Sequence, residues 1–243
     1  MNIFGLSDVG LARENNEDTC LYELRDEGAQ AIFVVCDGLG GARAGNVASD
    51  IAANVFVEQI EKQIRPSMST KYMESILRNA IDFANYDTYR TAHSSNEYQG
   101  MGTTLVGGFA NGERVMLANV GDSRAYLYTP EGMQRVTRDH SLVEELVQRG
   151  EITEEQAREH PRRNLITRAL GTSRKVGADY YPLTLEPGQK LLLCSDGLST
   201  MLRDEEMFEI LGEDDLKLCC ERLIHAANLH GGHDNITVLI LTV

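Results

Sequence analysis

Four aspartates, far apart in the sequence, each border an apolar run. Asp37 follows residues 31–36, Asp122 follows 115–121, Asp196 follows 191–195, and Asp234 stands just before 235–241. Short aliphatic and β-branched runs mark buried strands. A carboxylate at the end of such a strand cannot stay in the core unpaired, so it must meet water, a base or a metal. With Glu17 and Asp18 near the start, these carboxylates are placed to converge on one acidic site. Oxygen-only ligands suit Mg²⁺ or Mn²⁺ rather than zinc.

Other phosphate-handling mechanisms fail on spacing. A cysteine nucleophile needs an arginine six positions on, but Asp26, Ala42, Thr200, His225 and Ala226 stand six positions after Cys20, Cys36, Cys194, Cys219 and Cys220. Gly40 and Gly45 have the glycine spacing of a P-loop, yet Asn46 stands where its lysine belongs. Asp37-Gly38-Leu39 is not the Asp-x-Asp of a phosphoaspartyl hydrolase, and the sequence has no Gly-x-Ser-x-Gly elbow. Metal-assisted hydrolysis with carboxylate ligands is what remains.

The elements that must position these residues can be read from periodicity. Residues 2–7, 18–24, 29–36, 103–110, 114–120, 124–129, 177–184, 190–195 and 235–243 read as strands. Helices are expected over 44–64, where Ala48, Ile51, Ala52, Val55, Phe56 and Ile60 repeat at helical spacing, and over 70–93, 214–229 and 204–211, the last N-capped by Asp204. Short links between strands and clustered helices favour an α+β protein with antiparallel sheets over a parallel doubly wound one. A charged stretch near 142–165, with capping-box patterns at Ser141–Glu144 and Thr153–Gln156, reads as a flap-like excursion beside the site.

At 243 residues, 27.0 kDa and 42% hydrophobic content, the chain is expected to form a single domain over 1–243. A net charge of −14 and a pI near 4.8 argue against nucleic-acid or anionic-membrane partners. The start lacks a signal-peptide pattern, and no apolar stretch approaches the roughly 20 residues of a membrane helix. Five cysteines without a C-x-x-C pair read as reduced, buried thiols of a cytoplasmic protein.

A series of short segments resembles one known family. Arg13-Glu14-Asn15-Asn16-Glu17-Asp18 is similar to the R-x-x-N-E-D motif that opens type 2C (PPM) metal-dependent protein phosphatases. Asp37-Gly38-Leu39-Gly40-Gly41 resembles their D-G-x-G-G turn, and Gly102-Thr103-Thr104 their G-[ST]-T segment. Gly121-Asp122-Ser123-Arg124, Asp139-His140-Ser141, 166–171, Ser195-Asp196-Gly197-Leu198 and Asp234-Asn235-Ile236-Thr237 follow in the family's order. A lone D-G-x-G-G is any tight turn; the ordered set, running nearly end to end, is specific.

The resemblance implies an α-β-β-α sandwich of two mostly antiparallel sheets flanked by helices. It also implies an enzyme that hydrolyses phosphoserine and phosphothreonine in proteins, with Mn²⁺ or Mg²⁺ as cofactor. In this reading Asp37 bridges two ions, the Gly38 carbonyl joins the second, Asp196 and Asp234 complete the first, and Glu17 and Asp18 hold waters. A water shared by two cations loses its proton near neutral pH and attacks phosphorus in line. Asp122 matches the position of a third, weaker ion, and Arg13 the phosphate-binding arginine, whose planar fork takes two oxygens. The catalytic set is therefore Asp37, Asp18 and Arg13. Expected partners are phosphorylated proteins and a cognate Ser/Thr kinase, with the protein acting as a monomer.

The bland alternatives are definite. Gly121-Asp122-Ser123-Arg124 could be a structural turn with an Asp–Arg pair, Arg13 a surface ion pair, and Glu17 a solvated residue. His140 is expected to fix a loop by hydrogen bonds. Arg162-Arg163 reads as a solvated turn, and His225, His230 and His233 as a solvated helix end. One departure stands out: Leu39 occupies a position where eukaryotic relatives often carry a histidine proposed as general acid, which leaves that role unassigned. Other readings are a catalytically silent phosphoprotein binder and a phosphatase of small phosphate esters.

Overall fold

A computed structural model describes residues 1–40 and 44–243; Gly41 of the expected D-G-x-G-G turn lies outside the described residues. Strands β1 (Asn2–Asp8), β7 (Arg124–Thr129), β8 (Gly132–Arg135), β10 (Lys190–Cys194) and β11 (Ile236–Thr242) form one sheet, in the order β1-β11-β10-β7-β8. The second runs β2 (Asp18–Arg25), β3 (Gln30–Leu39), β5 (Leu105–Asn111), β6 (Arg114–Val120) and β9 (Asp179–Thr184), with the two-residue β4 (Gly102–Thr103) added to β3. The strand pairings among the described residues are antiparallel.

Both sheets are apolar on both faces, which is why their strands read as continuous runs rather than alternating ones. Phe33, Val35, Val106 and Leu117 of the second sheet pack against Leu191, Leu193, Leu239 and Leu241 of the first. The intervening residues Ile32, Val34 and Cys36 face outward onto α1 (Gly45–Glu61) and α2 (Thr70–Ala92), meeting Phe56, Ile60 and Leu77. On the other side Leu192, Cys194, Val238 and Ile240 meet Leu198, Met207 and Leu223 of α5 (Asp196–Ser199), α6 (Asp204–Leu211) and α7 (Leu216–Leu229). The result is the expected α-β-β-α sandwich.

Several local expectations are corrected. The strand expected over 103–110 is split at Thr104, whose neighbour Thr103 pairs with Gly38 and bridges to Leu170. Strand β3 runs on to Leu39, so Asp37 lies within a strand rather than past its end. Strand β8, Gly-Met-Gln-Arg, and the single-turn α5 carry no apolar periodicity and are additions. The N-cap of α6 is Arg203, whose backbone N–H donates to Glu206 Oε2 at 3.0 Å; Asp204 is the first helical residue. The excursion forms α3 (Leu142–Gln148) and α4 (Glu154–Arg158). The Thr153 capping box closes in both directions, but at Ser141 only half forms, because the Glu144 carboxylate turns to Arg135 at 2.9 Å.

Candidate metal and phosphate site

The register of β2 on β3 sets Asp18 directly opposite Asp37. Alternation places both on the face that, deeper in the sheet, carries Phe33 and Val35 into the inter-sheet core. Two carboxylates opposed at the open end of that core repel unless something positive lies between them.

The backbone around Asp37 is fixed by the Gly102–Thr104 segment. Asp37 N–H donates to Thr104 Oγ1 at 3.0 Å, Thr104 N–H donates back to Asp37 O at 2.9 Å, and Thr103 Oγ1 donates to the same carbonyl at 2.9 Å. Thr104 Oγ1 also bonds Ser123 Oγ at 2.7 Å, which ties the Asp122 turn to the Asp37 strand. Gly38 has no room for a side chain: the carbonyl oxygens of Gly45 and Glu17 stand where its Cβ would be.

The loop carrying Arg13 is stitched to the start of β11. The buried Asn235 side chain accepts from Glu17 N–H at 2.8 Å and donates to Val9 O and Asn15 O at 3.0 Å each. Leu11 and Ala12 donate their N–H groups to Gly232 O. Arg13 Nη2 thereby meets Asp234 Oδ2 at 2.8 Å. Across the sheet, Ser195 and Thr237 exchange N–H···O and N–H···Oγ bonds, holding the ends of β10 and β11, and so Asp196 and Asp234, side by side.

Arg13, Glu17, Asp37, Gly38, Asp122, Asp196 and Asp234 line one cavity of about 420 Å³. Asp18 lies behind Asp37 with both side-chain oxygens buried and without a hydrogen-bond partner. Burial raises Asp18 to about 7, and the neighbouring Asp196 and Asp234 carboxylates push the same way. Burial likewise raises Asp196 to about 6 and holds Asp37 and Asp122 well above the ordinary carboxylate range; neighbouring aspartates push all of them further. Glu17 is raised by burial, against the pull of Arg13.

This donor set fits hard cations. Orphaned, mutually repelling carboxylate oxygens are what such ions satisfy. Among the described residues no three His, Cys, Asp or Glu side chains are already closed around one point; Asp234 is turned to Arg13 instead. Asp37, Asp196, Asp234, Asp122, Glu17 and Gly38 line the same cavity, with Asp18 opposite Asp37 on the neighbouring strand.

The bland reading of Arg124 needs a different partner. Its guanidinium makes a two-pronged bond to the buried Asp139, at 3.0 Å from Nε and 2.7 Å from Nη2, so Asp122 is left facing the cavity. His140 is a buried hydrogen-bonding hub, as expected. Arg162 and Arg163 lie in an exposed turn. His230 caps the end of α7 and sits 3.2 Å from Glu206. Sequence reasoning assigned no role to Asn235, Thr104 or Ser123, although each stands inside a quoted segment. A second cavity of about 500 Å³ opens between the 142–165 excursion and α5–α6, sharing Asp122, Asp196 and Asn164 with the first.

Comparisons with known proteins bear on the family and the fold. The family model described as protein phosphatase 2C matches residues 12–228. The chain is 41% identical over 237 residues to a serine/threonine phosphatase, stp, of Listeria innocua, covering 97% of this chain and 93% of that one. The crystal structure of the Staphylococcus aureus serine/threonine phosphatase Stp1 superposes with a TM-score of 0.92 at 35% identity, over 99% of this chain and 94% of that one. The catalytic domain of the serine/threonine phosphatase PstP, solved with two manganese ions, superposes with a TM-score of 0.83 at 32% identity, covering 98% and 96%. The chain belongs to the protein phosphatase 2C family.

Proposed function

We propose that this protein is a metal-dependent phosphatase of phosphoserine and phosphothreonine in proteins, using two Mn²⁺ or Mg²⁺ ions and a weaker third. The observation that carries this is the convergence of Asp37, Asp122, Asp196, Asp234 and Arg13 on one cavity, in a chain so similar to a named serine/threonine phosphatase. When bound, divalent cations supply an acidified water as nucleophile and neutralise charge on the phosphoryl group.

The chain's own residues divide the remaining work. Asp37, Asp196, Asp234, Asp122 and the Gly38 carbonyl would hold the cations. Glu17 and Asp18 would orient waters beside those cations. Arg13 stands half-exposed at the mouth, where its fork can exchange the Asp234 oxygen for two phosphate oxygens. Leu39, beside Asp37 in the cavity, offers no proton. The leaving oxygen would take its proton from water, from Asp18 through water, or from another group.

Residues 1–243 act as one catalytic unit, a monomer, with 142–165 as a flap over the substrate path. The substrates are proteins phosphorylated by a Ser/Thr kinase, and the reducing cytoplasm fits five unpaired cysteines, four of them buried. Hydrolysis of a phosphothreonine peptide, titrated with Mn²⁺ and Mg²⁺ beside a phosphotyrosine peptide and a chromogenic ester, tests this. Metal-dependent turnover preferring phosphothreonine is expected; preference for the ester, or full activity in excess chelator, refutes it.

A further inference from the structure

The residue before Asp122 is gripped from one side. Gly121, at φ 105°, donates its N–H to His140 Nδ1 at 3.1 Å, and its carbonyl accepts the His140 N–H at 2.8 Å. Because Nδ1 accepts, the ring proton is on Nε2, which donates to Asp179 Oδ2 of β9 at 3.2 Å. Arg168 Nη1 lies 3.1 Å from the same nitrogen, donor facing donor, and is kept there by Asp179 Oδ1 at 3.3 Å.

The same histidine stands at the root of the excursion. Ser141 and Ile166 form an isolated bridge, Leu142 N–H donates to Leu165 O at 2.9 Å, and Thr167 N–H donates to His140 O at 2.7 Å. The chain therefore leaves the body at His140 and returns at Thr167-Arg168. One buried imidazole thus touches the Asp122 turn, a body strand and the returning end of the excursion. Such partners behind a metal ligand set its orientation, and their loss typically weakens metal binding by about ten- to a hundredfold.

We propose that His140 is a positioning residue, the joint through which the root of the 142–165 excursion holds Asp122 in place for its cation. This rests on the reading of Asp122 as a ligand, so Asp122→Ala is the reference.

The test measures Mn²⁺ binding by calorimetry without substrate, together with trypsin cleavage at the exposed Arg149, Arg158, Arg162 and Arg163. His140→Ala should weaken the class of ions lost in Asp122→Ala by about ten- to a hundredfold, leave the tighter class intact, and speed cleavage. His140→Asn, whose amide oxygen can replace Nδ1 as acceptor for Gly121, should recover most of the Mn²⁺ affinity. An unchanged isotherm in His140→Ala beside an altered one in Asp122→Ala overturns the proposal and spares the ligand reading. An unchanged isotherm in Asp122→Ala overturns both. Equal losses in His140→Ala and His140→Asn, affecting both classes of ion and tracking a lower melting temperature, also overturn it, since that is general loosening.

Discussion

Asp37 and Asp18 face each other across β2 and β3, an arrangement that opposes folding in the absence of cations. Replacing Asp37 by Asn removes a carboxyl that, in the cation-free fold, must either stay charged in the interior or take up a proton, while keeping its shape. Turnover should disappear, yet the chelated protein should melt a few degrees higher than the native chain. A lower melting temperature in chelator would mean that Asp37 is held by partners other than cations. Arg13 is the opposite case. Its bond to Asp234 joins two well-exposed groups and is worth at most about 1 kcal/mol to the fold. Arg13→Ala should therefore leave stability nearly unchanged and raise KM for a phosphopeptide about ten- to a hundredfold, the loss of one bidentate charge-assisted contact. Steady-state kinetics with an unchanged KM would return Arg13 to the role of a surface ion pair.

At the scale of elements, the site depends on short links more than on long strands. Asn235 sends three hydrogen bonds into the loop that carries Arg13 and Glu17. Asn235→Ala leaves at least one buried donor or acceptor without a partner, a cost of about 1–3 kcal/mol. It should lower the denaturant midpoint and raise KM in the same way as Arg13→Ala; an unchanged KM would show that the loop holds itself. Such links were the least legible part of the sequence. Strands such as β3, β6 and β11 are written as unbroken apolar runs, and α1 as a helical stripe, because they are buried by neighbours on both sides or along one face. The split at Thr104 and the Arg135–Glu144 pair depend on partners in other elements, of which local pattern carries no trace; the Arg203 cap is local, made by Glu206 three residues on, but arginine is not a residue type that signals an N-cap. The carboxylates were legible since each borders an apolar run. The groups that aim them were not, because a serine, threonine or asparagine in a turn reads the same whether it caps or positions.

Across the whole molecule, the two sheets bring carboxylates from both termini and the middle of the chain to one edge, so folding and metal binding are linked. Asp18 at about 7 and Asp196 at about 6, with Asp37, Asp122 and Glu17 also raised, hold protons in the folded state that the unfolded chain has released. The folded state therefore binds more protons between roughly pH 4 and 7, and stability falls as pH rises through that window. This contribution is complete below the unfolded carboxylate range and lost above the folded values. His140, lowered by burial, works the other way as a single group. In chelator, the melting temperature should drop between pH 5.5 and 8. With saturating Mn²⁺ the drop should be small or reversed, because cations bind the deprotonated carboxylates and stabilise the state that holds them. The gap between the two melting curves should widen with pH. Parallel curves would mean that the carboxylates titrate independently of the cation, and the acidic edge would then be no more than a charged surface.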